Sequence, residues 1–230
     1  MLLSTAYFPP VSWFALVAKS FTLSADRVIA SKVFIEAKEN YLKQTYRNRC
    51  VILSSQGRES LSFPIVHDGE YSITEVKVDY STPWVVRTER AIASAYESSA
   101  FFDYYKDDLF SILEHDHTRL WDLNLSIIGF FLEKTGIKAE LIPTDNFTPK
   151  GETSPLYGED FRDVIHPKRP NTVLPDLGLQ KEYFQVFSGK YGFQSDLSIM
   201  DLLFNEGPSS IVFLKNIALP PSGGLRNEHI

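Results

Sequence analysis

One segment constrains the fold more than any other. Residues 120–132 carry Leu120, Trp121, Leu123, Leu125, Ile127, Ile128, Phe130, Phe131 and Leu132. These positions run round every side of a helix rather than along one stripe. Such a helix has no face to give to water, so it must lie in the middle of the fold. Gly136 supplies its stop and Thr118 a capping hydroxyl, which predicts a helix over 118–134. The segment is too short to span a bilayer, and no run of 18 apolar residues occurs elsewhere. The buried helix therefore needs a globular shell around it. A chain of 230 residues, 43% hydrophobic, can build one without disulfides. The single cysteine, Cys50, excludes a disulfide framework and a multi-cysteine metal knuckle, and fits a reducing compartment.

The first third reads as strands. Leu2 to Tyr7 opens the chain, Pro9-Pro10 turn it, and Val11 to Ala18 forms a short helix. That Pro-Pro break, and the lack of a preceding Lys or Arg, argue against a signal peptide and for a cytoplasmic protein. Val28 to Ala30 and Val33 to Ile35 are short β-branched runs. Cys50 to Ser55 and Ser60 to Ile65 flank a four-residue hairpin loop, and Glu75 to Tyr80 alternates as a further strand. Helices follow: one starting at Thr82-Pro83, one over 101–114, and the buried one. Residues 143–180 are rich in Pro and Gly and read as a long loop, with a short helix over 159–165. A last helix spans 196–205, capped by Ser195 or Asp196 and stopped by Gly207-Pro208. The expected fold is a single α/β domain (mixed α/β or α+β) over 1–217. It has a mixed sheet from the first third, helices packed on that sheet, and a frayed tail over 218–230.

What the chain lacks narrows its chemistry. There is no Gly-x-Gly-x-x-Gly, Walker A or Gly-x-Ser-x-Gly sequence. The net charge of −6 disfavours nucleic acid as a partner. His115-Asp116-His117 has spacing that converges on a strand but not on a helix, and reads as a polar link rather than a metal site. No cofactor is indicated.

Three places carry candidate chemistry. Residues 41–49 concentrate Lys43, Arg47 and Arg49 beside Tyr41 and Tyr46. Helix or strand spacing alike would set Lys43 and Arg47 side by side, ready for a phosphate or carboxylate with a planar or sugar body. A charged edge strand is the alternative. Asp201 and Asn205 lie one turn apart on an otherwise apolar helix, where they either meet a ligand or brace a loop. His166, the one histidine in the long loop, is a candidate general base or an exposed side chain.

Together these pieces resemble the WbqC-like family. The resemblance rests on Thr5-Ala6-Tyr7-Phe8-Pro9-Pro10 with Trp13-Phe14, on Lys43 to Arg49, and on Ser62-Phe63-Pro64-Ile65. It continues through Trp84, Ala91 to Tyr96 and Tyr183 to Phe187, and closes with Leu197 to Gly207. It implies a role in surface-polysaccharide (O-antigen-like) biosynthesis. The reaction implied is transfer of an aminoacyl group such as glycine to a nucleotide-linked or otherwise activated amino sugar. Lys43, Arg47 and Arg49 would then hold phosphates, and Tyr7 or Tyr46 would pack on the ligand. Asn205 would join the ligand site, and Asp201 or His166 would deprotonate or orient the amine. The alternative is a non-catalytic binding or assembly protein working with products of the same biosynthetic cluster.

Overall fold

The computed structural model describes residues 1–23, 28–149 and 156–216. The expected frayed tail over 218–230 lies outside the described residues. Three strands, β1 (Leu2–Leu3), β4 (Ser31–Ile35) and β7 (Ala139–Pro143), form a parallel sheet in that order. Leu2 and Leu3 pair with Phe34 and Ile35, and Ser31–Ile35 pair in register with Ala139–Pro143. Residues 159–161 continue the sheet beyond β1, since Leu2 donates to the Glu159 carbonyl and accepts from the Phe161 amide. Two antiparallel pairs stand apart: β2 (Thr22–Leu23) with β3 (Val28–Ile29), and β5 (Arg49–Ser54) with β6 (Gly57–Ser62). The strands are thus divided among three sheets, and the parallel one draws β7 from the middle of the chain.

Helix α1 (Val11–Ser20) follows β1, and α2 (Trp84–Tyr96), α3 (Phe102–Glu114) and α4 (Leu120–Lys134) form the helical layer. Short helices α5 (Val173–Asp176) and α6 (Ser188–Tyr191) precede α7 (Ile199–Glu206) and α8 (Ser210–Leu214). The α4 side chains are buried as its composition demands, with Leu120, Leu123, Ile127, Ile128 and Phe131 fully enclosed. Phe131 meets Phe8 and Phe14 edge to face, which joins α4 to the turn before α1 and to α1 itself. The result is one mixed α/β domain.

Several local expectations are corrected. The β1 ladder stops at Leu3; further on, the Tyr7 amide donates to the Tyr46 carbonyl instead of to β4, and the chain turns at Phe8 with φ +43. The hairpin turn holds two residues rather than four, with Gly57 at φ +101 pairing with Ser54. Residues 75–80 bury Val76 and Val78 on one face but make only isolated bridges. Residues 159–165 are an extended edge and a turn, not a helix, because the Leu2 backbone claims their hydrogen bonds. Neither Thr82 nor Thr118 caps its helix by a side chain. Asp196 caps a different helix from the one expected. Its carboxylate accepts from the Ser12 amide at 2.8 Å and the Ser12 hydroxyl at 3.0 Å, at the start of α1. Ser198 caps α7.

Gly207 ends α7 at φ +51, and a Cβ there would meet the Phe101 ring at 2.5 Å. Gly129, exposed on α4, has open space around it. Gly207→Ala should therefore lower stability by about 2 kcal/mol or more. Gly129→Ala should raise it by roughly 0.5–1 kcal/mol. Denaturant unfolding of both variants checks the pair.

Candidate functional site

The carboxyl ends of the parallel strands all point to one edge, and the chain leaving each strand builds that edge. Ser4–Ala6 follow β1, Glu36–Asn40 follow β4, Thr144–Thr148 follow β7, and Arg162–Arg169 follow the 159–161 edge. Open parallel sheets characteristically place ligands just outside these strand ends.

The floor of this edge is a buried charge network. Arg47 donates from Nε and Nη2 to the two Glu39 carboxylate oxygens at 3.0 and 2.5 Å, and from Nη2 to the Ser4 hydroxyl at 2.9 Å. Arg162 forks onto Asp160 at 2.9 and 2.6 Å, and its Nη1 reaches Glu36 and the Thr148 carbonyl, both at 2.8 Å. Glu36 also accepts from the Thr144 hydroxyl at 2.6 Å. Burial pushes the Glu39 carboxyl up and Arg47 pulls it back. The hydrogen bond to Asp160 is the main reason the Arg162 guanidinium holds its proton more firmly. All three Arg162 nitrogens are engaged by these partners, whereas Arg47 Nη1 has none among the described residues.

Above this floor lies a pocket of about 150 Å³, walled by Ser4–Ala6, Trp13, Leu42, Tyr46, Phe161 and Ile165, and closed by His166 and Arg169. The buried Thr5 hydroxyl on its wall has no partner among the described residues. Tyr46, His166 and Arg169 are shared with an adjoining pocket of about 410 Å³ that adds Arg58 and Lys168. The two form one cleft with a cationic side. A separate groove of about 460 Å³ lies between β6 and the start of α2, where Ser62, Trp84 and Arg87 face each other.

His166 is held in a defined state. Its Nδ1 accepts from the Lys168 amide at 3.1 Å. The neutral ring therefore carries its proton on Nε2 and offers a donor to the cleft. Partial burial, and then Arg169, hold its pKa below the usual imidazole value, which keeps it neutral at pH 7.

The residues singled out from the sequence are only partly brought together. Residues 41–48 form turns rather than a strand or helix, with Gln44 at φ +62. Lys43 and Arg47 therefore do not share a face: Lys43 is exposed, and Arg47 turns inward to Glu39. Asn124, fully buried on α4, donates to the Arg47 carbonyl at 2.8 Å and pins the turn. Arg49 opens β5 with its Nε buried and unpaired among the described residues. Tyr46 lines both pockets of the cleft. Tyr7 is fully buried between Phe8 and Phe63, a core residue behind the cleft rather than part of its wall.

Asp201 is 1% exposed. It accepts from the Tyr183 hydroxyl and from Gln185, both at 2.7 Å. Gln185 in turn ties to the Gln194 backbone, so residues 183–187 form a braced loop. Asn205 donates to the Asp201 carbonyl at 2.7 Å. Asp201 thus holds the 183–194 segment against α7, the bracing role the sequence left open, while Asn205 bonds back along its own helix and leaves its buried Oδ1 without a partner among the described residues. Arg58, Lys168 and Arg169 were not singled out. The signal for Lys168 and Arg169 was present in Pro167-Lys168-Arg169, a second cationic run beside the one histidine of the long loop; Arg58, on β6, had none. No group of three or more His, Cys, Asp or Glu positioned for a metal occurs among the described residues. Nor is any helix among them long and apolar enough to cross a membrane.

Burial raises the Asp201 carboxyl to about 6, against the pull of Tyr183 and Gln185. The unfolded value is about 3.9, so the folded chain binds this proton more tightly. Stability should therefore fall as pH rises from about 4 to about 6, by up to about 3 kcal/mol. Asp201→Asn should flatten that slope; an unchanged slope in the variant would assign it to another group. The floor makes a second prediction. Arg47→Ala strands a buried carboxylate and should cost roughly 3–5 kcal/mol. Arg47→Ala/Glu39→Ala should cost less than the single change in urea unfolding.

Comparison with known proteins gives the lineage. "Uncharacterized protein Rv1507c" of Mycobacterium tuberculosis is 27% identical over 201 residues, covering 76% of this chain and 84% of that protein. No solved structure matches. A model of the WbqC-like protein family matches residues 5–164, from just beyond β1 through both arginines of the buried floor, and the chain belongs to that family.

Proposed function

We propose that this protein is a transferase of surface-polysaccharide biosynthesis that acylates the amine of a nucleotide-linked or otherwise activated amino sugar. The observation that carries the reading is the cleft beyond the parallel strand ends. It sets Arg58, Lys168 and Arg169 opposite an apolar and aromatic wall, with a neutral imidazole donor between. Cations arranged this way suit a diphosphate, and the wall suits a sugar ring. In the reaction, the amine nitrogen forms a bond to the carbonyl carbon of an activated aminoacyl donor. The bond from that carbon to its leaving group breaks, and the amine proton passes to solvent or to the departing group. His166 Nε2–H donates to the oxyanion that develops on the carbonyl oxygen. Its Lys168 contact fits this donor role better than that of a general base. Asp201 acts by holding the α7 side of the fold, and Lys43 acts outside the cleft.

A thermal-shift screen against nucleoside-diphosphate sugars tests the reading. A ligand at about 100 times its Kd adds about 2.7 kcal/mol of stability. We expect such a shift to be lost in Arg58→Ala/Arg169→Ala and kept in Lys43→Ala. His166→Ala should then lower kcat by about 10²-fold in an amine-acylation assay, with KM little changed. A shift that survives the double substitution would contradict the cleft. No shift with any nucleotide sugar would favour the assembly-protein alternative.

A further inference from the structure

The cleft continues past its apolar wall into a third recess, which none of the preceding assignments uses. This recess, about 330 Å³, shares Leu42 and Arg162 with the central pocket and adds Asn40 and Phe147. Its two apolar side chains are unusually open, Leu42 at 43% and Phe147 at 51% exposure. Phe147 lies in the segment leaving β7, and the Arg162 guanidinium backs its ring at 5.9 Å from the centroid. Arg162 is itself fixed by Asp160, Glu36 and the Thr148 carbonyl, so the ring stands on a rigid cation. The side-chain amide of Asn40, exposed at the rim, makes no hydrogen bond to the described residues.

An aromatic face with a cation behind it, an aliphatic side chain beside it and a free amide at the edge is the equipment for holding a heterocyclic base. The ring stacks on the aromatic face, and the amide pairs with its donor and acceptor edge. Lys38 and Glu39 complete the lining, but Glu39 and Arg162 are already engaged in the buried floor, which leaves the open Phe147 ring as the main contact surface. The recess and the pocket of Arg58 and Lys168 each share residues with the central pocket but none with each other. A ligand spanning the cleft would thus put its anionic part among the cations and a planar group against Phe147.

We infer that Phe147, Leu42 and Asn40 form a nucleobase subsite, so that the activated sugar is a nucleotide-linked one rather than a lipid-linked one. This rests on the cleft being the ligand site. Calorimetric titration with pyrophosphate, ADP and UDP separates the two claims. Pyrophosphate should bind through the cations alone, and at least one nucleoside diphosphate should bind about tenfold or more tightly than it. Phe147→Ala should remove that advantage and leave pyrophosphate affinity unchanged, while Phe147→Tyr should retain it. Asn40→Ala should narrow the difference between ADP and UDP. Nucleoside diphosphates that bind no better than pyrophosphate, or a Phe147→Ala loss shared equally by all three probes, would overturn the base subsite and leave the cationic cleft standing. Failure of all three probes to bind would overturn the cleft, and the subsite with it.

Discussion

The architecture of the site depends on two buried arginines. Arg47 and Arg162 each hold a carboxylate that would otherwise be stranded in the interior, and between them they bind four chain segments together. Ser4 comes from the end of β1, Glu36 and Glu39 from the end of β4, Thr148 from beyond β7, and Asp160 from the outer edge. Buried ion pairs contribute little net stability over an apolar substitute, but breaking one is costly. Their effect here is geometric. They fix where four strand ends stop, and so where the cleft begins.

That placement explains a division of labour among the cations. In a low-dielectric floor a guanidinium must be matched, so all three Arg162 nitrogens donate to protein, while Arg47 keeps one nitrogen back among the described residues. The positive charge that lines the open cleft sits at the rim instead, on Arg58, Lys168 and Arg169, with Asp163 and Asp196 as the carboxylates beside it. Floor and rim thus do different work: one shapes the cavity, the other attracts an anion.

The fold was legible in the sequence where a single segment determines its own environment. The α4 segment is apolar all round and had to be buried, and the apolar run 50–53 paired with residues 58–61 in a hairpin. Legibility failed where partners are distant. Nothing local marks Glu36 as the mate of Arg162, 126 residues away, or Asp196 as the cap for a helix 184 residues before it. The same limit explains the 41–49 segment. Both regular geometries put Lys43 beside Arg47, but the real chain is a run of turns pinned by Asn124, and turns obey neither period. Asp201 illustrates the converse. A carboxylate on an apolar helix signals that partners exist, but not whether they are ligand or protein; here Tyr183 and Gln185 fill that role.

The central claim is that ligand binds beyond the carboxyl ends of the parallel strands, against the 44–47 turn and the 161–170 loop. Hydrogen–deuterium exchange, with and without a saturating nucleoside-diphosphate sugar, tests it most directly because it reads every segment at once. The account predicts slowed exchange at 3–6, 44–47 and 161–170, with 59–64 and 82–91 unchanged. Protection confined to 59–64 and 82–91, the groove between β6 and α2, would contradict it.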